Sequence, residues 1–282
     1  MNDTFNCEEF DRLAGELRYV ITDMICRAGS GHIGGALSLV ETVVTLYWRV
    51  LNIDPRNPKM EDRDRVILSK GHGGPVLYAA LAYKGFFPKE MLGSLNADGT
   101  NLPSHVDRIR TPGIDMTAGS LGQGLSCACG MAMAAKMDGK KHKIFCIVGD
   151  GECDEGQVWE AAMFAGHRKL DNLIAITDYN KLQIDGFTND VLTLEPLADK
   201  WRAFNWEVLE MDGHDWDNIY TTINKAKQIQ GKPVMIVAHT IKAKDCSIIE
   251  NKPESHNIKV DDEAAHRKYM GALKCTDYSL PY

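Results

Sequence analysis

The stretch from Lys143 to Gly186 constrains this chain most. It opens with the apolar run Lys143-Ile-Phe-Cys-Ile-Val148, short enough for one buried strand, which stops at Gly149-Asp150-Gly151. A segment of helical period follows, with Val158, Ala161, Ala162, Ala165 and Leu170 behind the acidic start Glu152, Asp154 and Glu155. A second buried-strand run, Leu173 to Thr177, ends in Asp178-Tyr179-Asn180. The pattern is a strand-helix-strand unit. Two adjacent parallel strands set their carboxyl ends side by side, so Asp150 and Asn180 converge on one point above the sheet.

One carboxylate and one amide oxygen suit a hard divalent cation. Mg²⁺ takes one or two protein carboxylates and fills its octahedron with waters and phosphate oxygens, so a donor set this sparse expects a phosphorylated ligand. Read as an isolated triplet, Gly-Asp-Gly is more readily a tight turn, with Asn180 a turn residue. An EF-hand reading of Asp150, Glu152 and Asp154 fails, because its sixth position is Glu155 where glycine is needed and a strand precedes the loop. Neither the Walker nor the Rossmann glycine spacing is met here.

Elsewhere, Phe10, Leu13, Leu17, Val20, Ile21, Met24 and Ala28 form a helical stripe broken at Gly29-Ser30-Gly31. Ser38 can cap a helix running through Val43, Val44, Leu46, Tyr47 and Val50. Val66-Ile-Leu68 reads as a short strand leading to Lys70-Gly71-His72, with Pro75 in the first turn of the next helix. Residues 96–116 lack periodicity and are rich in Gly, Pro, Asp and Asn, which predicts a functional loop. Leu121 to Met137 reads as a small-residue helix, and Trp206 to Met211 and Val234 to His239 as two further strands with a helix between them. Strands alternating with helices predict a doubly wound, mainly parallel α/β sheet with helices on both faces, in one domain over residues 1–282.

In such a sheet, ligands bind beyond the carboxyl ends of the strands. His72, Asp150, Asn180, His214 and Lys242 each follow a strand, so groups capable of chemistry collect on one edge. Singly each has a plainer reading: a backbone-bonded histidine, a helix-packing run at Gly119 to Gly124, a solvated face at Lys242 and Lys244. His32 is less easily dismissed, because glycine flanks waste backbone entropy unless something must come close.

A net charge of −7 argues against a general nucleic-acid or anionic-membrane surface. The eight cysteines form no Cys-x-x-Cys pair, and several lie inside apolar runs as small hydrophobes, which points to a reducing cytoplasm. Met1 to Phe10 is acidic without an apolar signal core, and no stretch is long and apolar enough to span a bilayer.

Gly149-Asp150-Gly151, followed by Asn180-Lys-Leu-Gln-Ile-Asp-Gly186, resembles the thiamine diphosphate motif of the transketolase family. Gly31-His32-Ile-Gly-Gly35, Ser69-Lys-Gly-His72, Gly119-Ser-Leu-Gly-Gln-Gly124 and Asp212-Gly-His214 are similar to that family too, in its order. The similarity spans nearly the whole chain but only the amino-terminal third to half of a full-length transketolase, as in the amino-terminal chain of the split, two-polypeptide form.

This resemblance implies the thiamine diphosphate-binding fold and a cofactor pair of thiamine diphosphate with Mg²⁺, or another divalent cation such as Ca²⁺ or Mn²⁺. By the same resemblance, Asp150, Asn180 and the carbonyl of Leu182 hold the metal, and His72, Gly151, Asn180, Lys242 and His256 contact the diphosphate. Gly119, Ser120 and Leu121 border the pyrimidine, and Ile184 packs beside the thiazolium. His32 and His105 contact the sugar oxygens and, with His256, form the catalytic set. Glu155 and Glu160 resemble an acidic pair facing its symmetry mate. The implied activity is transfer of a two-carbon ketol unit from an anionic ketose to an aldose. The implied partner is the second polypeptide of the split transketolase, which carries the pyrimidine-binding and carboxy-terminal domains and the activating glutamate. The implied assembly is a heterotetramer with two copies of each chain.

The chain departs from the family pattern at Val106, at Lys242-Ala243-Lys244-Asp245, and at His256 between Ser255 and Asn257. Two alternatives stay open at this point. One is another thiamine diphosphate reaction, such as 2-oxo acid decarboxylation, and the other is a non-catalytic scaffold.

Overall fold

The computed structural model describes residues 7–184 and 186–282. Met1 to Asn6 of the acidic start, and Asp185 within the Asn180–Gly186 motif, lie outside the described residues. In chain order the strands are β1 (Ser30–Gly31), β2 (Arg65–Leu68), β3 (Ile144–Gly149), β4 (Leu173–Tyr179), β5 (Glu207–Asp212), β6 (Val234–His239) and β7 (Ile258–Lys259). The helices are α1 (Cys7–Arg27), α2 (Gly34–Leu37), α3 (Val40–Thr45), α4 (Gly74–Lys84), α5 (Gln123–Met137), α6 (Gly156–Arg168), α7 (Thr188–Val191), α8 (Leu197–Ala203), α9 (Trp216–Gln228) and α10 (Glu263–Gly271).

Strands β2, β3, β4, β6 and β5 form one parallel sheet in that order, as the strand-helix alternation predicts. Period-two alternation along each strand feeds two cores. Phe145, Ile147, Ile174, Ile176 and Ile236 face the core built with α1, α3, α4 and α9. Ile144, Cys146, Val148, Leu173, Ala175 and Val237 face the one built with α5, α6 and α8. Burial on both faces is why these strands read as unbroken apolar runs. Cys26, Cys129, Cys146, Cys153 and Cys246 are buried free thiols. Among the described residues no helix is long and apolar enough to cross a membrane.

Ser38 does not cap a helix. The segment it was expected to open is broken into α2, then α3 with Leu39 at its start, then a π-helical turn at Leu46–Val50. The Ser38 hydroxyl donates to Asp178 Oδ2 at 2.7 Å instead. A carboxylate buried at the end of β4 needs donors more than a helix end needs a cap.

Two features outside the sheet matter for the site. The irregular stretch 96–116 packs firmly: Leu102, Val106 and Ile114 are buried, Tyr78 OH donates to Pro103 O at 2.8 Å, and Ala118 N donates to Val106 O at 3.0 Å. Far apart in sequence, β1 and β7 pair antiparallel, with Ser30 opposite Lys259 and Gly31 opposite Ile258. That ladder draws the segment after Gly31 against the segment before Ile258.

Candidate active site

Gly149 pairs with Asp178 in the β3–β4 ladder, so Asp150 and Asn180 emerge from neighbouring strands at the same sheet edge. A cavity of about 310 Å³ opens there. Asp150 Oδ1 accepts from Gly151 N at 2.8 Å and Oδ2 from Lys181 N at 2.5 Å. The Asn180 amide nitrogen donates to Asp178 Oδ2 at 3.2 Å, while its oxygen accepts from Leu182 N at 3.1 Å. Asp178 is ionised and can only accept, which sets the amide's orientation.

Four histidines line the same cavity. The β1–β7 ladder brings His32 and His256 together with ring centroids 5.3 Å apart, and His72, on the turn after β2, lies 5.2 Å from each. His105, from the 96–116 loop, stands 5.6 Å from His32. Burial, then Lys70 and the other histidines, lowers His72 to about 2. Burial, then Lys242 and His32, lowers His256 to about 3. His32 is lowered by burial and by His105 and Lys242, and His105 by burial. The four rings are therefore neutral hydrogen-bonding groups at pH 7, beside two buried lysines.

The donor chemistry fits a divalent cation carrying a diphosphate. Burial and the nearby Asp178 carboxylate push Asp150 up to about 7, a penalty that a bound cation removes. The Lys242 ammonium, itself lowered to about 8 by burial, already occupies carbonyl oxygens that face the cavity, Leu182 O at 3.0 Å and Gln183 O at 3.4 Å. Among the described residues no group of three or more His, Cys, Asp or Glu side chains is arranged to hold a metal. A set as sparse as Asp150 with the Asn180 and Leu182 oxygens is one that Mg²⁺ completes with waters and phosphate oxygens.

Of the residues expected at the site, His32, His72, His105, Gly119, Leu121, Asp150, Gly151, Asn180, Leu182, Ile184, Lys242 and His256 all line this cavity. Lys242 does so although the chain departs from the family pattern at Ala243 and Asp245, and it is 2% exposed. Ser120 stands apart from these on this chain. It is exposed and does not line the cavity, because the chain turns outward between Gly119 and Gly122, which takes a left-handed φ of 79°. His214 follows β5 as expected and bonds to Glu41 and to Ile241 N, outside the cavity. Glu155 and Glu160 are exposed on this chain.

Sequence reasoning missed Glu152, Gln183 and the roles of Lys70 and Asp178. Glu152 lies inward, accepting from the Ser69 hydroxyl, from Gly122 N at 2.8 Å and from Gly149 N at 2.9 Å. Lys70 pairs with Asp178 and donates to Gly35 O at 3.0 Å. A carboxylate at the end of a fully apolar strand and a lysine at the end of another were the available signal, since buried charges must pair. The glycine pair after His32 also has a packing role, because a Cβ at Gly34 would sit 2.6 Å from Ser255 O.

The family described as "Transketolase, thiamine diphosphate binding domain" matches residues 10–281. The 6-deoxy-6-sulfo-D-fructose transketolase subunit SqwG of Clostridium sp. (strain MSTE9) is 57% identical over 250 residues, covering 89% of this chain and 91% of that protein. An apulose-4-phosphate transketolase subunit of Actinobacillus succinogenes is 43% identical over 251 residues, again 89% and 91%. The crystal structure of transketolase from Campylobacter jejuni superposes with a TM-score of 0.90 at 34% identity, covering 98% of this chain but 44% of that one. The chain thus matches relatives that are themselves single subunits over most of their length, and full-length enzymes over less than half. It belongs to the transketolase family, of which it is the amino-terminal, thiamine diphosphate-binding part.

Proposed function

We propose that residues 1–282 act as one cofactor-binding domain, the amino-terminal subunit of a two-chain transketolase that moves a ketol unit from an anionic ketose to an aldose. The observation that supports this reading is the single cavity shared by the Asp150–Asn180–Leu182 oxygens and the four neutral histidines.

Asp150, the Asn180 amide oxygen and the Leu182 carbonyl hold a divalent cation, Mg²⁺ or another such as Ca²⁺ or Mn²⁺. Lys242, His72, His256, Asn180 and the backbone at Gly151 grip the diphosphate. Gly119 and Leu121 border the pyrimidine and Ile184 the thiazolium. When bound, thiamine diphosphate supplies the electron sink for breaking and re-forming the carbon-carbon bond. His32 and His105, held neutral, can donate to the ketose carbonyl oxygen and carry a proton to or from its hydroxyl. His256 steadies negative charge at the diphosphate end. A partner polypeptide with the pyrimidine-binding and carboxy-terminal domains supplies the activating glutamate and most of the grip on the sugar. Glu155 and Glu160 face a second copy of this chain in a cytoplasmic heterotetramer that holds two copies of each polypeptide.

Two relatives are named for ketoses that carry a sulfonate or a phosphate away from the reacting end. The donor proposed here is of that kind, with 6-deoxy-6-sulfo-D-fructose the first to try. The test mixes the chain with its partner polypeptide, thiamine diphosphate and Mg²⁺, and follows ketol transfer to an aldose phosphate. Transfer from the sulfonated ketose in preference to fructose 6-phosphate supports the proposal, and no transfer from any ketose overturns it. Light scattering on the same mixture checks the subunit count.

A further inference from the structure

Lys242 enters the cavity from a segment with an unusual backbone. Ala243 and Asp245, on either side of Lys244, have φ of 56° and 66°, left-handed conformations that glycine adopts freely and other residues only at a cost. Something must hold such a segment in shape, and three residues outside the cavity do so from both sides of Lys242.

On one side, Arg18 of α1 donates through Nε to Lys244 O at 3.1 Å and has Nη1 3.6 Å from Asp245 Oδ2. On the other, Ile241 N donates to His214 Nε2 at 2.8 Å. Both meet at one carboxylate. Glu41 of α3 accepts two hydrogen bonds from Arg18 Nη2, at 2.7 and 2.8 Å, and its Oε2 lies 3.1 Å from His214 Nδ1. Because Nε2 accepts from a backbone N–H it carries no proton, so Nδ1 carries the proton and donates to Glu41. Arg18 is 3% and Glu41 6% exposed, so both carry their charges largely out of water and depend on each other as partners.

We propose that Arg18, Glu41 and His214 form a clamp that positions Lys242, with Glu41 as the anchor that orients both jaws, so that the ammonium is presented to the ligand's diphosphate. This rests on reading the cavity as a diphosphate site. The three are positioning residues, acting on the ligand through the 241–245 segment. The clamp also accounts for the departure at Asp245, since Arg18 supplies the charge that keeps an aspartate in a glycine-like turn.

The test uses the assembled enzyme and inorganic pyrophosphate with Mg²⁺ as probe, titrated by calorimetry at a temperature where melting curves show every variant folded. His214→Asn, which removes the acceptor at the ε position, and Glu41→Gln each weaken pyrophosphate about tenfold, the worth of one lost charge-positioning bond. His214→Gln, whose side chain returns a polar atom to the ε position, stays within about threefold of wild type. The same fold-changes appear in KM for thiamine diphosphate, with kcat at saturating cofactor little altered. In a Lys242→Ala background, His214→Asn has no further effect, as expected of residues acting through one group. If His214→Asn does not fold, Arg18→Lys, which lacks the donor to Lys244 O, takes its place in the cycle. Unchanged pyrophosphate affinity in folded His214→Asn overturns the clamp, and so does an equal loss with and without Lys242. Wild-type enzyme that binds neither pyrophosphate with Mg²⁺ nor thiamine diphosphate overturns the cavity reading itself.

Discussion

The ammonium of Lys70 and the carboxylate of Asp178 are joined in an ion pair beneath the cavity, with Lys70 2% and Asp178 0% exposed. Asp178 also takes donors from Ser38, Thr240 and Asn180, so one side chain ties together the turn after β2, the α2–α3 segment, the end of β6 and the amide expected to meet the cation. Removing one member strands the other. Asp178→Asn is expected to cost about 3–5 kcal/mol, the usual result of leaving one partner of a buried pair uncompensated. The double variant Lys70→Met/Asp178→Leu recovers a good part of that loss. Urea unfolding of the three proteins measures both, and a double variant no better than the single one contradicts the account.

Asp150→Ala removes the only carboxylate proposed to hold the cation. Thiamine diphosphate affinity is expected to fall by more than the roughly 10–100-fold that loss of an outer metal partner costs, and to stop responding to Mg²⁺. Calorimetry with and without Mg²⁺ reads both effects. An Asp150→Ala enzyme that still binds more tightly when Mg²⁺ is added places the cation elsewhere.

Stability should fall in mild acid. His72 and His256 are lowered from 6.5 to about 2 and about 3, so below pH 6.5 the unfolded chain takes up protons that the native chain refuses. Their contribution is complete above pH 6.5 and is lost as pH falls toward their folded values. Melting temperatures between pH 8 and pH 4 are expected to drop below pH 6.5, and His72→Gln to flatten that slope. An unchanged slope in His72→Gln assigns the acid sensitivity to other groups.

The 119–122 turn separates two neighbouring positions. Ser120→Ala leaves thiamine diphosphate affinity within about twofold, since Ser120 is exposed and outside the cavity. Glu152→Ala leaves Gly122 N and Gly149 N without their acceptor and lowers stability by roughly 2 kcal/mol or more. Thermal melts and calorimetry on the pair check this, and a large affinity loss in Ser120→Ala would mean the turn moves inward on binding.

What could be read in advance followed from local pattern. The apolar runs at 144–148 and 173–177 declared strands buried on both faces, and parallel pairing then brought Asp150 and Asn180 together. What escaped depends on partners distant in the chain. Glu152 looked like an acid at a helix start, yet α6 begins only at Gly156, and Glu152 turns in to meet Ser69. Ser38 looked like a cap until Asp178, 140 positions away, claimed its hydroxyl. His214 stood after a strand like the true cavity residues, but β5 is the edge strand of the sheet, and its end opens toward Glu41.

The two-residue ladder of β1 and β7 ties the cavity to two distant parts of the chain. His32 is made early and His256 near the end, and only their pairing at Ser30–Gly31 and Ile258–Lys259 completes the ring cluster. All five strands of the parallel sheet precede His256 in the chain, so the sheet does not depend on the segment that completes the coenzyme pocket.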